Sequence, residues 1–145
     1  MKVSRKADYA IRALLDLAQH DGQGLVQSDD IAHRQGIPAP YLDQVMTTLR
    51  KAGIVKSSRG PQGGHTLARP ASEIALGEVI GALEGTLSPM DCVDDPDACP
   101  QLRYCAQREV WQSVREAVHQ VLGATSIGDL ARRQQERQGQ GRYYI

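Results

Sequence analysis

No apolar run in this 145-residue chain approaches the roughly 18–20 residues needed to cross a bilayer. The opening, MKVSRKADYAIRALLDLAQH, is broken by Asp8, Arg12 and Asp16, charges that the apolar segment of a signal peptide does not carry. A soluble cytoplasmic protein with no membrane partner is therefore expected. Cysteine is scarce and odd in number: Cys92, Cys99 and Cys105, all within fourteen residues. In a chain without a secretion signal, such a cluster argues against a disulfide framework and for metal or redox chemistry. Phenylalanine is missing altogether, and from that alone nothing follows. A phosphate loop, a nucleophile elbow, a paired-carboxylate site and the CxxC of thiol oxidoreductases are missing too, so an enzyme is not expected.

Net charge is also absent, with 17 Lys/Arg against 17 Asp/Glu, but the total hides a division. Residues 1–69 hold ten basic and six acidic side chains, residues 70–145 seven and eleven. A basic half keeps a nucleic-acid partner open. With 41% hydrophobic and 23% charged residues, the chain can bury a core, either as one ordinary domain or as a small domain with an appendage.

What is present is an ordered series of elements. Ser4 to Gln19 reads as a helix, with Ile11, Leu14, Leu15 and Ala18 at helical spacing and Asp8, Arg12 and Asp16 as a polar stripe. Ser28 is placed to cap a short helix to about Gln35. After the turn Gly36-Ile37-Pro38, a third helix spans about Ala39–Ala52, with Leu42, Val45, Met46 and Leu49 on its apolar side. Ile54–Ser58 and His65–Ala68 flank Arg59-Gly-Pro-Gln-Gly-Gly64, a hairpin signal. Helix, short helix, turn, helix and hairpin together make a winged helix-turn-helix, so the expected fold is mainly α with a small β-hairpin wing. Beyond it, a short helix is expected over Leu76–Leu83. A proline-broken acidic loop over 84–99 follows, then a long helix over Ala106–Leu122 and a last helix from Ile127 to about Gln135. The division expected is 1–70 for DNA binding, 71–135 for the cysteine loop and a dimerisation helix, and 136–145 for a flexible tail.

Three groups of residues carry chemistry. In such a fold the helix after the turn enters the major groove, and its early residues here are Pro40, Tyr41, Asp43 and Gln44. Gln pairs bidentately with adenine and a carboxylate accepts from cytosine; the plainer alternative is a solvated helix face. At the hairpin tip Arg59 is placed for a minor groove, with Gly60 letting the backbone come close. Arg5, Lys6, Arg12, Arg50, Lys51 and Lys56 supply charge for phosphates, some of it ordinary surface charge. The second group is Cys92-x6-Cys99-x5-Cys105, thiols suited to an iron–sulfur cluster or, less well at this spacing, zinc. The loop offers no fourth Cys or His, leaving Asp8, His20, His33, His65 and His119 as candidates elsewhere. Free or partly bridged thiols are the alternative. The third group is Trp111, Val114, Val118 and Val121, a seam at 3, 4, 3 spacing that is too apolar to face water and predicts a symmetric dimer.

Several segments together resemble the Rrf-two family of bacterial winged-helix regulators, of the IscR and NsrR type. They are Tyr9-Ala-Ile, Ile37-Pro-Ala-Pro-Tyr-Leu-Asp-Gln44, Leu49-Arg-Lys-Ala-Gly-Ile-Val55, the Arg59–Gly64 wing, Leu76-Gly-Glu-Val-Ile80, the cysteine trio before Trp111, and Ile127-Gly-Asp-Leu130. The resemblance covers residue 1 to about 133. It implies a homodimer on a palindromic double-stranded operator, a repressor whose DNA affinity follows the state of a [2Fe–2S] or [4Fe–4S] cluster on the three cysteines, with redox or nitric oxide as the signal. It maps DNA contacts to Pro40, Tyr41, Asp43 and Arg59. The IscR type places a His just after the third cysteine, where this chain has Gln107 and Arg108. The NsrR type uses an aspartate on the first helix of the other subunit, and this chain has Asp8 there. The competing role for Asp8 is an exposed ion pair with Arg12. Direct thiol or zinc sensing without a cluster is the alternative function.

Overall fold

A computed structural model describes the backbone of residues 2–143 and the side chains as far as residue 139. Three helices, α1 (Arg5–Gln19), α2 (Ser28–Gln35) and α3 (Ala39–Lys51), precede an antiparallel hairpin of β1 (Val55–Ser58) and β2 (Gly64–Leu67). Then come α4 (Leu76–Glu84), a single turn α5 (Asp91–Asp94), the long α6 (Ala106–Ala124) and α7 (Ile127–Tyr143). The hairpin pairs Val55 with Leu67 and Ser58 with Gly64. Winged helix-turn-helix is the architecture, as the order of elements in the sequence indicates. Among the described residues no helix is long and apolar enough to cross a membrane.

The helix-turn-helix follows from periodicity and punctuation. α3 buries Leu42, Val45, Met46 and Leu49, the four residues of its apolar stripe. Gly36 ends α2 in the left-handed region, at φ 63°, where a side chain would be strained. The turn then aims α3 back across α1. Leu14 and Leu17 of α1 and Ile31 of α2 close the core beneath it.

Four expectations are corrected. Ser28 does not cap α2. Gln27 occupies that position, and the Ser28 hydroxyl is engaged by His65 instead (2.6 Å). Asp16 does not belong to an exposed stripe; it is only 1% exposed. The boundary expected at residue 70 does not divide the core, because Ile74, Val79 and Ile127 belong to the same buried cluster as Leu14, Leu42 and Leu49. Main-chain bonds reinforce that union: Leu76 N–H donates to the Thr125 carbonyl and Ile127 N–H to the Ile74 carbonyl, both at 2.8 Å. Finally, the tail expected to be loose continues α7 as far as Tyr143, and its last two residues lie outside the described ones. Ser126 and Asp129 start that helix with reciprocal side-chain to main-chain bonds of 2.9 and 3.0 Å. The Arg/Gln/Glu run 132–138 then has the propensity to prolong it.

Candidate functional site

Two regions hold the chemistry, a nucleic-acid face on the helix-turn-helix and a cysteine cavity at the start of α6.

On the first, α3 exposes Pro40, Tyr41, Asp43, Gln44 and Lys51, the side opposite its buried stripe. The Tyr41 ring is backed by Tyr9 of α1, with ring centroids 6.1 Å apart and tilted by 52°. The Arg12 guanidinium stands 6.0 Å from the centre of the Tyr9 ring. Asp8 holds that guanidinium through contacts of 2.9 and 3.2 Å. Asp8, Arg12, Tyr9 and Tyr41 thus form one continuous series from the first helix to the expected recognition surface. Asp8 does not line the cavity that holds the cysteines of its own chain.

The wing projects beside α3, with Arg59 and Gly60 exposed at its tip. Gly60 takes φ 105°, a value open to glycine and strained for other residues. Gly63 is required for a different reason: a Cβ there would lie 2.2 Å from the Ser58 carbonyl oxygen of the facing strand. Both groups belong to backbone, so no rotamer change relieves the clash. Gly63→Ala should therefore lower stability by about 2 kcal/mol, read as a fall in the urea midpoint; an unchanged midpoint would show that the tip can reshape freely. Between the wing, the start of α2 and the end of α3 runs a groove lined by Gln27, Ser28, Arg50, Ser57, Arg59 and His65. Its donors and cations suit a DNA phosphate strand.

α2 is tied to α1 by a half-buried ion pair that local sequence patterns do not reveal. Arg34 donates to both Asp16 oxygens, at 2.9 and 2.8 Å, and Gln35 adds a third bond at 3.1 Å. Burial pushes the Asp16 carboxyl upward, but hydrogen bonds from Arg34 and Gln35 and the nearby positive charge outweigh it, so it titrates below the ordinary carboxylate value. For the burial of Asp16 alone a signal was available. Residues i, i+4 and i+8 drift by about 80° around a helix, so a stripe beginning at Asp8 ends on the apolar side, seven residues beyond the buried Tyr9.

The acidic segment is not irregular throughout. Despite its prolines it forms two single turns, α5 and a 3₁₀ turn at Pro96–Ala98, where Pro96 occupies a first-turn position and its missing N–H costs nothing, and a third turn follows at Leu102–Tyr104. Each turn sets one cysteine. Cys92 is buried within α5, Cys99 follows the second turn, and Cys105 is the residue before α6. All three are free and line one cavity with Met90, Gln107, Arg108 and Trp111. α6 holds this region by its arginines: Arg108 donates to the Cys92 carbonyl (3.3 Å), and Arg115 to the Val93 carbonyl (3.2 Å) and to Asp94 (3.0 Å). Gln107 accepts from the Trp111 indole at 3.2 Å. The cysteines share a cavity without being gathered into a finished ligand set, since among the described residues no three His, Cys, Asp or Glu side chains are grouped to hold a metal ion. Three free thiols lining one cavity, with Asp91 also on its lining, are of the kind a thiolate-held cluster takes once they are drawn together.

The seam residues lie along α6, which buries none of its residues within the chain. Trp111, Val114 and Val118 are half-covered, whereas Val121 is 64% and Val110 59% exposed.

Comparison with known proteins adds the following. The profile of a family described as Rrf2, iron-dependent transcriptional regulator, matches residues 3–133. Protein rrf2 of Nitratidesulfovibrio vulgaris is 37% identical over 132 residues, spanning 91% of this chain and 88% of that protein. The solved structure of T. potens IscR is 40% identical with a TM-score of 0.77, over 95% of this chain and 91% of that one. CymR, the global cysteine regulator of B. subtilis, is 37% identical with a TM-score of 0.76, over 90% of this chain and 96% of that one.

Proposed function

Because this chain belongs to the Rrf2 family of transcriptional regulators, we propose that it binds a palindromic operator as a homodimer, with Cys92, Cys99 and Cys105 holding an iron–sulfur cluster that governs DNA affinity. The observation that carries the cluster is three free thiols on one cavity, positioned by α6 itself. Similarity to proteins named IscR supports it. Asp8 of the second copy is the proposed fourth ligand, since Asp8 stands away from the cysteines of its own chain. A carboxylate oxygen is a harder and weaker partner for iron than a thiolate, so one corner of the site is the labile one.

When bound, the cluster supplies iron that reacts with oxygen or nitric oxide. The protein's own part is positional. Arg108 and Arg115 tie the Cys92 turn to α6, so a rearrangement at the cysteines is passed to the helix that joins the two copies. Asp8 also has an ion pair to give up: while it holds Arg12 it supports Tyr9 behind Tyr41. Were Asp8 to serve as a ligand, Arg12 would keep only its bond to the Gln35 carbonyl, and the support behind α3 would change. Operator binding falls to Pro40, Tyr41, Asp43 and Gln44 in the major groove, Arg59 and Gly60 in the minor groove, and Lys51 and Arg12 on phosphates. Repression follows where such an operator overlaps a promoter. Direct thiol sensing is the second reading, favoured by the likeness to a global cysteine regulator and by cysteines that are not drawn together.

Purification without oxygen, with a visible spectrum and counts of iron and sulfide per chain, separates the two. A coloured protein with matched iron and sulfide is expected. Cys99→Ala should hold little iron, while Asp8→Ala should hold iron but lose it faster to oxygen. Colourless protein with reactive thiols or stoichiometric zinc would sink the cluster, and wild-type behaviour of Asp8→Ala would leave Asp8 as the partner of Arg12 alone.

A further inference from the structure

His65 sits where the wing joins the helix-turn-helix, and every polar atom it has is engaged. Its main chain is paired with Val26 in both directions: Val26 N–H donates to the His65 carbonyl at 2.9 Å, and His65 N–H to the Val26 carbonyl at 2.8 Å. Its ring reaches two further elements. Nε2 lies 2.6 Å from the Ser28 hydroxyl at the start of α2, and Nδ1 lies 2.7 Å from the Ser57 hydroxyl on β1. Ser57 is also the register partner of His65 across the hairpin, and Arg59 follows it by two residues. Gly64, the neighbour of His65, brings the strand so near Val26 that a Cβ would stand 2.6 Å from the Val26 carbonyl oxygen. Three segments of chain, 26–28, β1 and β2, thus meet at His65.

We propose that His65 is a positioning residue for DNA recognition, a ring that pins the root of the wing to α2 and so sets the reach of Arg59 while itself making no base contact. This rests on the reading that the wing touches DNA. The charged groups bearing on the ring belong to α3: Asp43 favours its protonation and Arg50 opposes it. Burial is the largest influence and lowers the pKa, so the ring is neutral at physiological pH. A neutral imidazole has one donor and one acceptor nitrogen, and a serine hydroxyl can serve either, so both tautomers satisfy both bonds. The joint therefore holds without a charge and gives the wing a fixed stance across the physiological range.

The test is a double-mutant cycle on operator affinity at fixed salt. Arg59→Ala should weaken binding about tenfold or more, as loss of one specific contact does. His65→Phe, which keeps a ring but neither bond, should cost about as much, and the double variant no more than about threefold beyond either. Each variant should keep the wild-type circular dichroism spectrum and a single cooperative urea transition, which a general loss of structure would not allow. Ser28→Ala guards against a misfolded His65→Phe chain: it removes one anchor, leaves the ring, and should also be less than additive with Arg59→Ala. Additive losses, or wild-type affinity for both His65→Phe and Ser28→Ala, would overturn the positioning role alone. An Arg59→Ala chain that binds its operator like wild type would overturn the wing contact and the role of His65 together.

Discussion

Arg34→Ala should destabilise the folded chain by about 3 kcal/mol at neutral pH, the lower end of what removing one partner of a buried ion pair costs. The lower end applies because the Arg34 side chain is 37% exposed while Asp16 is 1% exposed, so water can move toward the carboxylate left behind. Against a typical total of about 5–15 kcal/mol, this is a large share. The pH dependence identifies the cause. In the wild-type chain the Asp16 carboxyl titrates below its ordinary value. A depressed carboxyl contributes stability that is fully present above the unfolded-state value of about 4 and is lost as pH falls through the folded value. Without Arg34 the upward push of burial is opposed only by Gln35 and the charge of His20, so the variant should begin to weaken at a higher pH than wild type. Urea midpoints for both chains at pH 7 and pH 3 check this: the gap should be widest at pH 7 and narrow at pH 3. An equal gap at both, or one below about 1 kcal/mol at pH 7, would mean that the pair does not hold α1 to α2.

Val121→Asp should convert the dimer to monomer and cut operator affinity by about 100-fold or more, the gain that linking two half-site contacts supplies. Position 121 is the informative one. Val118 also faces the crevice between α4 and α6 that Gly77, Ile80 and Leu122 help line, so a charge there strikes the chain's own packing as well. Val121 is 64% exposed in the single chain, so a carboxylate there disturbs the chain's own packing far less than one at position 118. Sedimentation and an operator titration on the same preparation would decide it. If Val121→Asp still sediments as a dimer, the seam along α6 is not where two copies meet.

Much of the fold was legible because short-range rules governed it. The four-residue stripe of α3, the glycines after α2 and α3, and the wing signal all act within a few residues, and each appears where its pattern placed it. The failures share one cause, partners distant in the chain. Asp16 reads as surface until Arg34 is beside it, and Ser28 reads as a cap until His65 reaches it from 37 residues away. The exposure of Pro40, Tyr41, Asp43 and Gln44 was legible because helical periodicity sets which side of α3 faces out. How the cysteines stand in space was not, because three single turns around prolines have no periodicity to read. The role of His65 was hidden for the same reason as that of Asp16: nothing local reveals two serines converging on one ring.

The packing of α1 has a mechanical meaning. Its one side meets α3 and α2, another meets α4 and α7, and Ile74, Val79 and Ile127 continue the same core. The helix-turn-helix, α4 and the start of α7 therefore share one core, a stiff lever on which α6 packs through α4. Bending such a lever would require opening a close-packed interior. Pivoting it about α6, none of whose residues is fully buried in its own chain, leaves that interior intact. In the proposed dimer, a displacement of an ångström or two where two such levers cross would be magnified at their tips, and the distance between the two α3 helices would be the quantity that the proposed operator measures.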